Sequence, residues 1–217
     1  MYQLGIGAAC TYVRTILDEV MSIEETGQLV DVDALDLHRL VTNHIIEAVV
    51  TTHNGASHLL VDGVVANEDE DFTAELDDKG VITITMLKDT LRVSMVKAGD
   101  SDVVVSELVP EDSAEGRKQL NKYVRGVADD PRVVLCKSWA GEYKPVLRYY
   151  STNEHSIPEI SLEYVPYPVI VESMVEICPR LEYAVLNELA AMVLNSLNEH
   201  EKATLYRAKS QAMMGVK

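Results

Sequence analysis

The feature of this chain that most constrains its fold is the position of its helical patterns, which lie at both ends of the sequence. Apolar residues recur at helical spacing from about Ala8 to His53 and again from Cys178 to Met214. Terminal helices around a strand-rich middle predict an α+β fold, in which N-terminal and C-terminal helical hairpins form a helical body and an antiparallel β-rich region is inserted. The predicted limits are 1–217 for a single domain, 1–58 and 173–217 for the helical body, and 59–172 for the inserted region.

The N-terminal pattern divides into two helices, with a predicted stop at Gly27. Asp33 is a candidate cap for the second helix, and Asp36 adds negative charge to its first turn, where the helix dipole favours it. Because a linker of about six residues joins the two helices, we expect them to pack antiparallel. The predicted apolar stripes are Val13, Ile16, Leu17, Val20 and Met21 in the first helix, and Leu37, Leu40, Val41, Ile45, Ala48 and Val49 in the second.

The middle of the chain predicts two hairpins because strand-like segments flank short turn sequences. The turns are Asp77-Asp78-Lys79-Gly80 and Ala140-Gly141-Glu142. The segment 103–109 is almost continuous in apolar residues, which is compatible with a strand buried on both faces. The predicted elements are strands at 72–76, 81–86, 91–96, 103–109, 132–139, 143–150 and 160–164, and a short polar helix at 113–123.

The C-terminal part predicts two further helices. Pro179 suits the first turn of the first of them. Asn198, with Glu201 three residues later, resembles a capping box that would begin the last helix. We expect the stripe of the first helix to be buried against the N-terminal helices. The apolar residues are Leu181, Val185, Leu189, Met192 and Val193 in the first helix, and Ala203, Tyr206 and Met213 in the last.

The chain carries a formal net charge of −16 at neutral pH. Charge repulsion at that level argues against non-specific binding to nucleic acid and against docking to anionic membranes. The densest acidic run, 68–71, is expected to be an exposed and mobile loop. The concentrated basic residues are Arg117, Lys118, Lys122 and Arg125.

The cysteines are sparse, and neither their number nor their spacing suggests a disulfide framework or a zinc site. Cys10, Cys136 and Cys178 are scattered without a CxxC pair, which indicates folding in a reducing compartment. The N-terminus lacks the basic start of a secretion signal. No apolar run approaches the ~18 residues that span a bilayer. We therefore expect a soluble protein that is made and folded in a cytoplasm.

The sequence contains no catalytic motif. The segment 5–9 (Gly-Ile-Gly-Ala-Ala) weakly resembles a phosphate loop, but we expect no strand before it, and a third glycine is missing. His53 and His58 are expected to be loop histidines without a carboxylate at metal-site spacing. Cys136 lies among apolar strand residues, where a thiol is more often a core residue than a nucleophile. The sequence therefore predicts no enzyme activity, no metal and no cofactor.

Tyrosines and prolines are concentrated late in the chain, at 149–150 and 164–168. Aromatic side chains on a backbone fixed by proline suit rigid packing, either in the core or against a neighbouring subunit. The basic segment could pair with acids on a neighbouring subunit, or it could simply keep a short helix soluble. The candidate interface residues are Arg117, Lys118, Lys122, Arg125, Trp139, Tyr164 and Tyr167.

Several segments, taken in order, match the pattern of one family. They are Thr15-Ile16-Leu17-Asp18-Glu19-Val20, Ile45-Ile46-Glu47-Ala48-Val49, Ala56-Ser57-His58-Leu59-Leu60, Leu91-Arg92-Val93, 119–126 (Gln-Leu-Asn-Lys-Tyr-Val-Arg-Gly), the late tyrosines and the closing helices from Cys178. Together they resemble the ring, or adaptor, proteins of the neck and tail barrel of short-tailed phages, especially the crAss-like phages of gut Bacteroidales. The family often has a Trp after its Leu-Arg strand, where this chain has Lys97-Ala98-Gly99.

This resemblance implies a structural virion protein that forms a homo-oligomeric, dodecameric ring around the DNA channel. It implies contacts with the portal or with other tail rings, and DNA passing through the channel without specific binding. The physical properties of the chain are compatible with this role. A subunit of a closed ring uses a different surface for each neighbour, and an acidic channel wall does not adhere to phosphates.

Two hypotheses from other classes remain open. One is an intracellular enzyme whose site is assembled from scattered residues, which would require a deep pocket with perturbed carboxylates. The other is a monomeric module whose central sheet binds a peptide or protein. The oligomeric state distinguishes both of them from the ring hypothesis.

Overall fold

The computed structural model describes residues 1–22, 34–99, 103–127, 129–136, 143–151 and 158–215. The described residues form a mixed α+β protein with antiparallel sheets, as the sequence predicts. Its elements, in chain order, are β1 (Tyr2–Gly5), α1 (Ile6–Ser22), α2 (Ala34–Gly55), β2 (Val64–Val65), β3 (Phe72–Leu76), β4 (Val81–Met86), β5 (Thr90–Ala98), β6 (Val109–Pro110), α3 (Ala114–Lys118), β7 (Arg132–Cys136), β8 (Val146–Tyr150), β9 (Ile160–Pro166), β10 (Ile170–Val171), β11 (Met174–Ile177), α4 (Glu182–Ser196) and α5 (His200–Met213).

The chain divides into two compact units. The helical unit comprises Met1–Asp62 and Pro168–Lys217, and the β unit comprises Gly63–Tyr167. The predicted limits of the inserted region, 59 and 172, lie a few residues outside these junctions. No helix among the described residues is long and apolar enough to cross a membrane.

The core of the helical unit is built from the predicted stripes of its helices. One continuous cluster of buried side chains joins α1, α2, α4, α5 and β11. Leu40 is only partly buried against this cluster. Asp36 lies in the first turn of α2, as predicted. The predicted break at Gly27, the cap at Asp33 and the side chains of Val20 and Met21 lie outside the part of the chain that is described. Of the other predicted residues, Leu181 is also buried, whereas Met213 is exposed. The predicted residues found in the cluster are Val13, Ile16, Leu17, Leu37, Val41, Ile45, Ala48, Val49, Val185, Leu189, Met192, Val193, Ala203 and Tyr206.

Helices α4 and α5 run antiparallel. The Ser210 hydroxyl, late in α5, donates to the Ala184 carbonyl, early in α4, at 2.8 Å. Nearer the connection, Arg207 pairs with the buried carboxylate of Glu188 at 3.1 Å. Pro179 lies in the short 3-10 turn that leads into α4, which agrees with the predicted helix start.

The predicted capping box at Asn198 is wrong. Asn198 has a φ of +65°, and its N–H bonds to the Asn195 carbonyl, while the N–H of Glu199 bonds to the Leu194 carbonyl. This pair of bonds is the Schellman arrangement that ends a helix, and Asn tolerates its left-handed position better than most residues. Asn198 therefore terminates α4, and α5 begins without a side-chain cap.

A small sheet of order β1-β11-β10 completes the helical unit. Contrary to the sequence-based expectation, a strand does precede the Gly5-Ile6-Gly7 segment. That strand pairs antiparallel with β11. It therefore does not belong to the parallel strand–helix–strand unit in which glycine-rich phosphate loops occur.

The β unit contains a five-stranded sheet of order β3-β4-β8-β7-β6 and a three-stranded sheet of order β2-β9-β5. Both sheets contribute side chains to one buried cluster, which includes Phe72, Ile84 and Tyr149 from the first and Val96 and Leu162 from the second. The predicted hairpin of β3 and β4 is confirmed. The Asp77 carboxylate accepts hydrogen bonds from the N–H groups of Lys79 and Val81, both at 2.8 Å, and thereby shapes its turn. Strands β7 and β8 also pair antiparallel as predicted, although β8 begins at Val146 and not at Tyr143. The end of the predicted first strand, 137–139, and the predicted turn at 140–142 lie outside the described residues.

The predicted strand at 103–109 is wrong. The segment does not form a continuous strand: Val105 bridges Val96, and Val109 belongs to a two-residue strand, Val109–Pro110, that pairs parallel with β7. Val104 is 46% exposed, so the run is not buried on both faces. The predicted helix at 113–123 is shorter than expected, because α3 ends at Lys118.

Candidate interaction surface

Helix α3 and the segment that follows it carry four of the seven predicted interface residues, namely Arg117, Lys118, Lys122 and Arg125. Ser113 begins α3, because its hydroxyl accepts from the Gly116 N–H at 2.9 Å and donates to the Pro110 carbonyl at 2.7 Å. A Cβ at Gly116 would lie 2.3 Å from the Pro110 carbonyl oxygen. Only glycine can lie this close to the Pro110 carbonyl, so α3 packs tightly against the chain that precedes it.

The segment 119–127, which we name the exposed loop, is fixed by the side chain of Gln119. This side chain is buried, and its oxygen accepts from the Gly126 N–H at 2.8 Å. Gly126 in turn lies against the sheet, where an added Cβ would be 2.7 Å from both the Arg132 nitrogen and the Tyr150 oxygen. Within the loop, the Asn121 side chain accepts from the Tyr123 N–H at 3.1 Å. The backbone of the loop is therefore closed by specific bonds.

The exposed loop projects apolar side chains into solvent. Tyr123 is 82% exposed, Leu120 72% and Val124 58%, and Val127 is also exposed. Because the backbone is held in place, the exposure of these side chains is a property of the fold. A compact group of exposed aromatic and aliphatic side chains is typical of protein–protein contact sites. Sequence reasoning selected only the basic residues here, because in a sequence the apolar ones resemble core positions of a helix.

The basic residues of this segment are engaged within the chain. Lys118 pairs with Glu115 at 3.1 Å, and the Lys122 ammonium lies 4.9 Å from the centroid of the Tyr123 ring. Arg117 donates to the Asp112 carbonyl at 2.8 Å. Arg125 is half-buried and donates to the Lys79 carbonyl at 2.7 Å, which fastens the loop to the β3–β4 turn. The four predicted residues thus each have a contact within the chain, and their role at an interface stays a prediction.

Tyr164 does not lie on an accessible surface. It is 5% exposed and belongs to the buried cluster of the β unit, so its side chain has little area to offer a neighbour. Burial raises the pKa of its hydroxyl. Its neighbour Tyr167 is half-buried and stacks on Tyr143 with 3.9 Å between ring centroids. A hydrogen bond with Tyr143 raises the pKa of Tyr167. Trp139 lies outside the described residues.

The acidic run at 68–71 is exposed only in part. Glu68, Asp69 and Glu70 are exposed as predicted, but Asp71 is buried. The Asn67 N–H donates to its carboxylate at 2.8 Å, and the Lys88 ammonium forms an ion pair with it. The Asn67 hydrogen bond, followed by that from Lys88, holds the pKa of Asp71 below its usual range. Asp71 is therefore a structural anchor for the turn before β3.

The predicted loop position of His53 is wrong, because His53 is fully buried within α2. One ring nitrogen, Nδ1, lies 2.9 Å from the Val49 carbonyl, and the other, Nε2, accepts from the Cys178 N–H at 3.0 Å. Because a carbonyl accepts and an N–H donates, the ring carries its proton on Nδ1. Both nitrogens are thus bonded to backbone groups, and this histidine joins α2 to the chain that leads into α4.

The thiols of the described residues are buried or partly buried. Burial raises the pKa of Cys136, so its thiol is poorly suited to act as a nucleophile. The Cys178 thiol donates to the Asp62 carbonyl at 3.3 Å. Within the described ranges, no group of three or more His, Cys, Asp or Glu side chains is placed to hold a metal ion.

A second set of exposed apolar residues lies on the helical unit, at the β10–β11 hairpin. Val169 is 62% exposed and Val171 61%, and Met174 is also exposed. The turn residues Glu172 and Ser173 have φ values of +51° and +63°. Turns of this kind strongly favour Asn and Gly, so two other residues there indicate backbone strain.

Comparison of the chain with models of protein families, with curated proteins and with solved structures found no match.

Proposed function

We propose that this protein is a structural subunit of the neck or tail barrel of a short-tailed phage. In this proposal it forms a dodecameric homo-oligomeric ring that connects the portal to other tail rings. The ring surrounds the DNA channel, and DNA passes through it during ejection without specific binding. The chain is made in the host cytoplasm and becomes part of the virion. It has no enzyme activity, needs no cofactor and contacts no membrane. We also propose that the terminal helices are arranged as two hairpins.

The observation that carries the proposal is the exposed loop, where a fixed backbone presents Leu120, Tyr123 and Val124 to solvent. Apolar side chains held in a defined conformation lose little entropy when a partner covers them, which favours binding. The exposed β10–β11 hairpin on the helical unit provides a second apolar surface. A subunit of a closed ring contacts each neighbour through a different surface, and it meets the rings above and below through others.

The charge of the chain supports the same role. A net charge of −16 repels DNA phosphates, so a channel wall built from such subunits would let DNA slide. Measurable affinity of the purified protein for duplex DNA at physiological salt would contradict this part of the proposal.

Electron microscopy of native particles that contain this chain is the decisive experiment. We expect density for a closed ring of identical subunits below the portal or between tail rings. A purified chain can remain unassembled when a neighbouring ring supplies the template, so the particle itself must be imaged. If the chain is present as a single copy without ring neighbours, the proposal is wrong.

One alternative is a monomeric protein-binding module. The exposed loop also favours this alternative, since the same side chains could bind a different protein. A stable monomer that forms a defined 1:1 complex, and never a ring, would support the module.

A further inference from the structure

The five-stranded sheet of the β unit has one open edge. Its strand order leaves β3 at one margin and β6 at the other. Strand β6 has two residues, one of them Pro110, and α3 packs against it at Gly116. Proline, short length and a covering helix are the usual ways to protect a sheet edge. Strand β3 has five residues, and beyond Phe72 no strand among the described residues pairs with its outer side.

The register of β3 on β4 determines which backbone groups of β3 face outward. The Leu87 N–H donates to the Asp71 carbonyl at 2.8 Å, just before β3 begins. The Asp77 N–H donates to the Val81 carbonyl at 3.0 Å, just after β3 ends. Backbone groups alternate in direction along an antiparallel strand, so the odd-numbered residues from 71 to 77 direct theirs at β4. The even-numbered residues direct theirs away from the sheet.

These outward backbone groups are engaged at the start of β3, where the Phe72 carbonyl accepts from the Asp69 N–H at 2.9 Å. The N–H and C=O groups of Ala74 and Leu76 have no hydrogen-bond partner among the residues that the structure describes. Unpaired groups of this kind are a template for a further strand. The side chains of Ala74 and Leu76 are only partly buried against the core of the β unit, so an added strand would also cover apolar surface.

Acidic side chains border the open edge along its whole length. Three exposed acids lie directly before β3, and two more lie in the turn that follows it. Glu75 is exposed within β3, on the face opposite the side chains that pack in the core. The exposed acids are Glu68, Asp69, Glu70, Glu75, Asp77 and Asp78.

The nearby cations do not balance this charge. Lys88 pairs with the buried Asp71, and that pair is neutral. Lys79 lies in the β3–β4 turn, and Arg125 is fastened to its carbonyl at 2.7 Å. These two charges offset those of the two aspartates in the same turn. The acids before β3 and Glu75 therefore leave the open edge with a negative charge.

We propose that the outer edge of β3 binds an extended segment of another protein as a sixth strand, and that this segment alternates apolar residues with lysine or arginine. Because side chains alternate along a strand, its apolar residues would lie beside Ala74 and Leu76, and its basic residues would lie beside Glu75 on the opposite face. A second copy of this chain is a poor partner, since pairing two β3 edges would bring like charges together. The inference goes beyond the proposed function and does not depend on a ring, because one copy carries the complete edge.

A synthetic peptide tests the proposal. The probe is acetyl-Lys-Val-Lys-Val-Lys-Val-Lys-amide, and isothermal titration calorimetry measures its binding to the full chain. We expect saturable 1:1 binding, with a Kd that rises with salt because exposed charges are screened. The same peptide with every backbone nitrogen methylated keeps its charge but has no N–H to donate. We expect its Kd to be at least about tenfold higher, because strand addition depends on backbone hydrogen bonds.

Variants of the chain locate the contact on β3. Ala74→Pro removes an outward N–H and leaves the bonds to β4, as edge strands tolerate, so we expect a Kd at least about tenfold higher. Glu75→Lys reverses a charge beside the basic residues and should raise the Kd about threefold to tenfold. Glu176→Lys makes the same change at an exposed position on β11 of the helical unit and should change the Kd by less than about twofold. Circular dichroism and the melting temperature check that each variant is folded.

Three results would overturn the proposal. An absence of saturable binding up to about 1 mM peptide would leave the acids as protection of the edge against pairing. Equal Kd values for the methylated and unmethylated peptides, or for Ala74→Pro and the wild type, would indicate non-specific attraction to an acidic protein. Self-association of the wild type in sedimentation velocity, abolished by Ala74→Pro, would assign the edge to a second copy.

Discussion

The Cys178 backbone N–H donates a hydrogen bond to the Nε2 atom of His53 at 3.0 Å, across 125 residues of sequence. The bond joins the last part of α2 to the residue before the turn that begins α4. His53 and Cys178 are both fully buried, so the bond is shielded from solvent. A side chain that sequence analysis treats as a loop histidine therefore connects the two distant parts of the helical unit.

We predict that His53→Leu lowers the free energy of unfolding by about 1–3 kcal/mol, because it leaves the buried Cys178 N–H without this acceptor. Urea unfolding followed by circular dichroism measures the change. His58→Ala is the control, since His58 is exposed and should shift stability by no more than about 0.5 kcal/mol. Equal effects of the two substitutions would mean that the His53 bond contributes nothing.

Asp71 should make stability depend on pH in the acid range. Its pKa is lowered in the folded state, so its contribution is complete above the unfolded value of about 4 and is lost as the pH falls through the folded pKa. Asp71→Asn should destabilise the protein at pH 7 and flatten the loss of stability below pH 4. Urea unfolding of the wild-type protein and the variant at pH 7 and below pH 4 measures both effects. Glu70→Gln removes an adjacent exposed carboxylate and should preserve the acid dependence.

Leu189 should be among the most sensitive positions of the helical core. It is fully buried in the cluster formed by α1, α2, α4 and α5. Leu189→Ala should cost about 2–5 kcal/mol, through lost burial and the cavity left behind. Leu205→Ala, at a position 55% exposed on α5, should change stability by about 0.5 kcal/mol or less. An unchanged melting temperature for Leu189→Ala would contradict the packing described for α4.

The same substitution should have opposite effects at two glycines. Gly126→Ala places a Cβ against backbone atoms of Arg132 and Tyr150, and should destabilise the protein by about 1–3 kcal/mol. Gly7→Ala, in α1, meets no atom within 4 Å and should be neutral or stabilising by up to about 1 kcal/mol. Thermal unfolding of the two variants compares them directly. Similar shifts in melting temperature for the two variants would show that the exposed loop is not held tightly against the sheet.

Elements with strong local signals could be predicted from the sequence. The β3–β4 hairpin follows from its Asp-Asp-Lys-Gly turn, and the start of α4 follows from Pro179 and a regular apolar stripe. Local signals were ambiguous at Asn198, because asparagine favours both the beginning of a helix and the left-handed position that ends one.

The remaining features depend on partners that are distant in sequence. Asp71 resembles its exposed acidic neighbours until Lys88 is placed beside it. Tyr164 is in a segment whose aromatic residues could serve a core or an interface, and only the packing of the two sheets decides between them. The exposed loop depends on one buried amide, that of Gln119, and on the close approach of Gly126 to the sheet. Neither has a sequence pattern that could have predicted it.

The division of the helical unit between the two ends of the chain determines the order in which its parts meet during translation. Helices α1 and α2 emerge from the ribosome before the β unit, whereas the apolar residues of α4 and α5 that complete their cluster are synthesised after it. Residues 63–167, by contrast, have all the partners of their own sheets before Pro168 is added. While the β unit folds, the nascent chain therefore exposes an incomplete helical core, which is prone to aggregate. Charge repulsion from the net charge of −16 opposes aggregation during this interval, as it does in the folded protein.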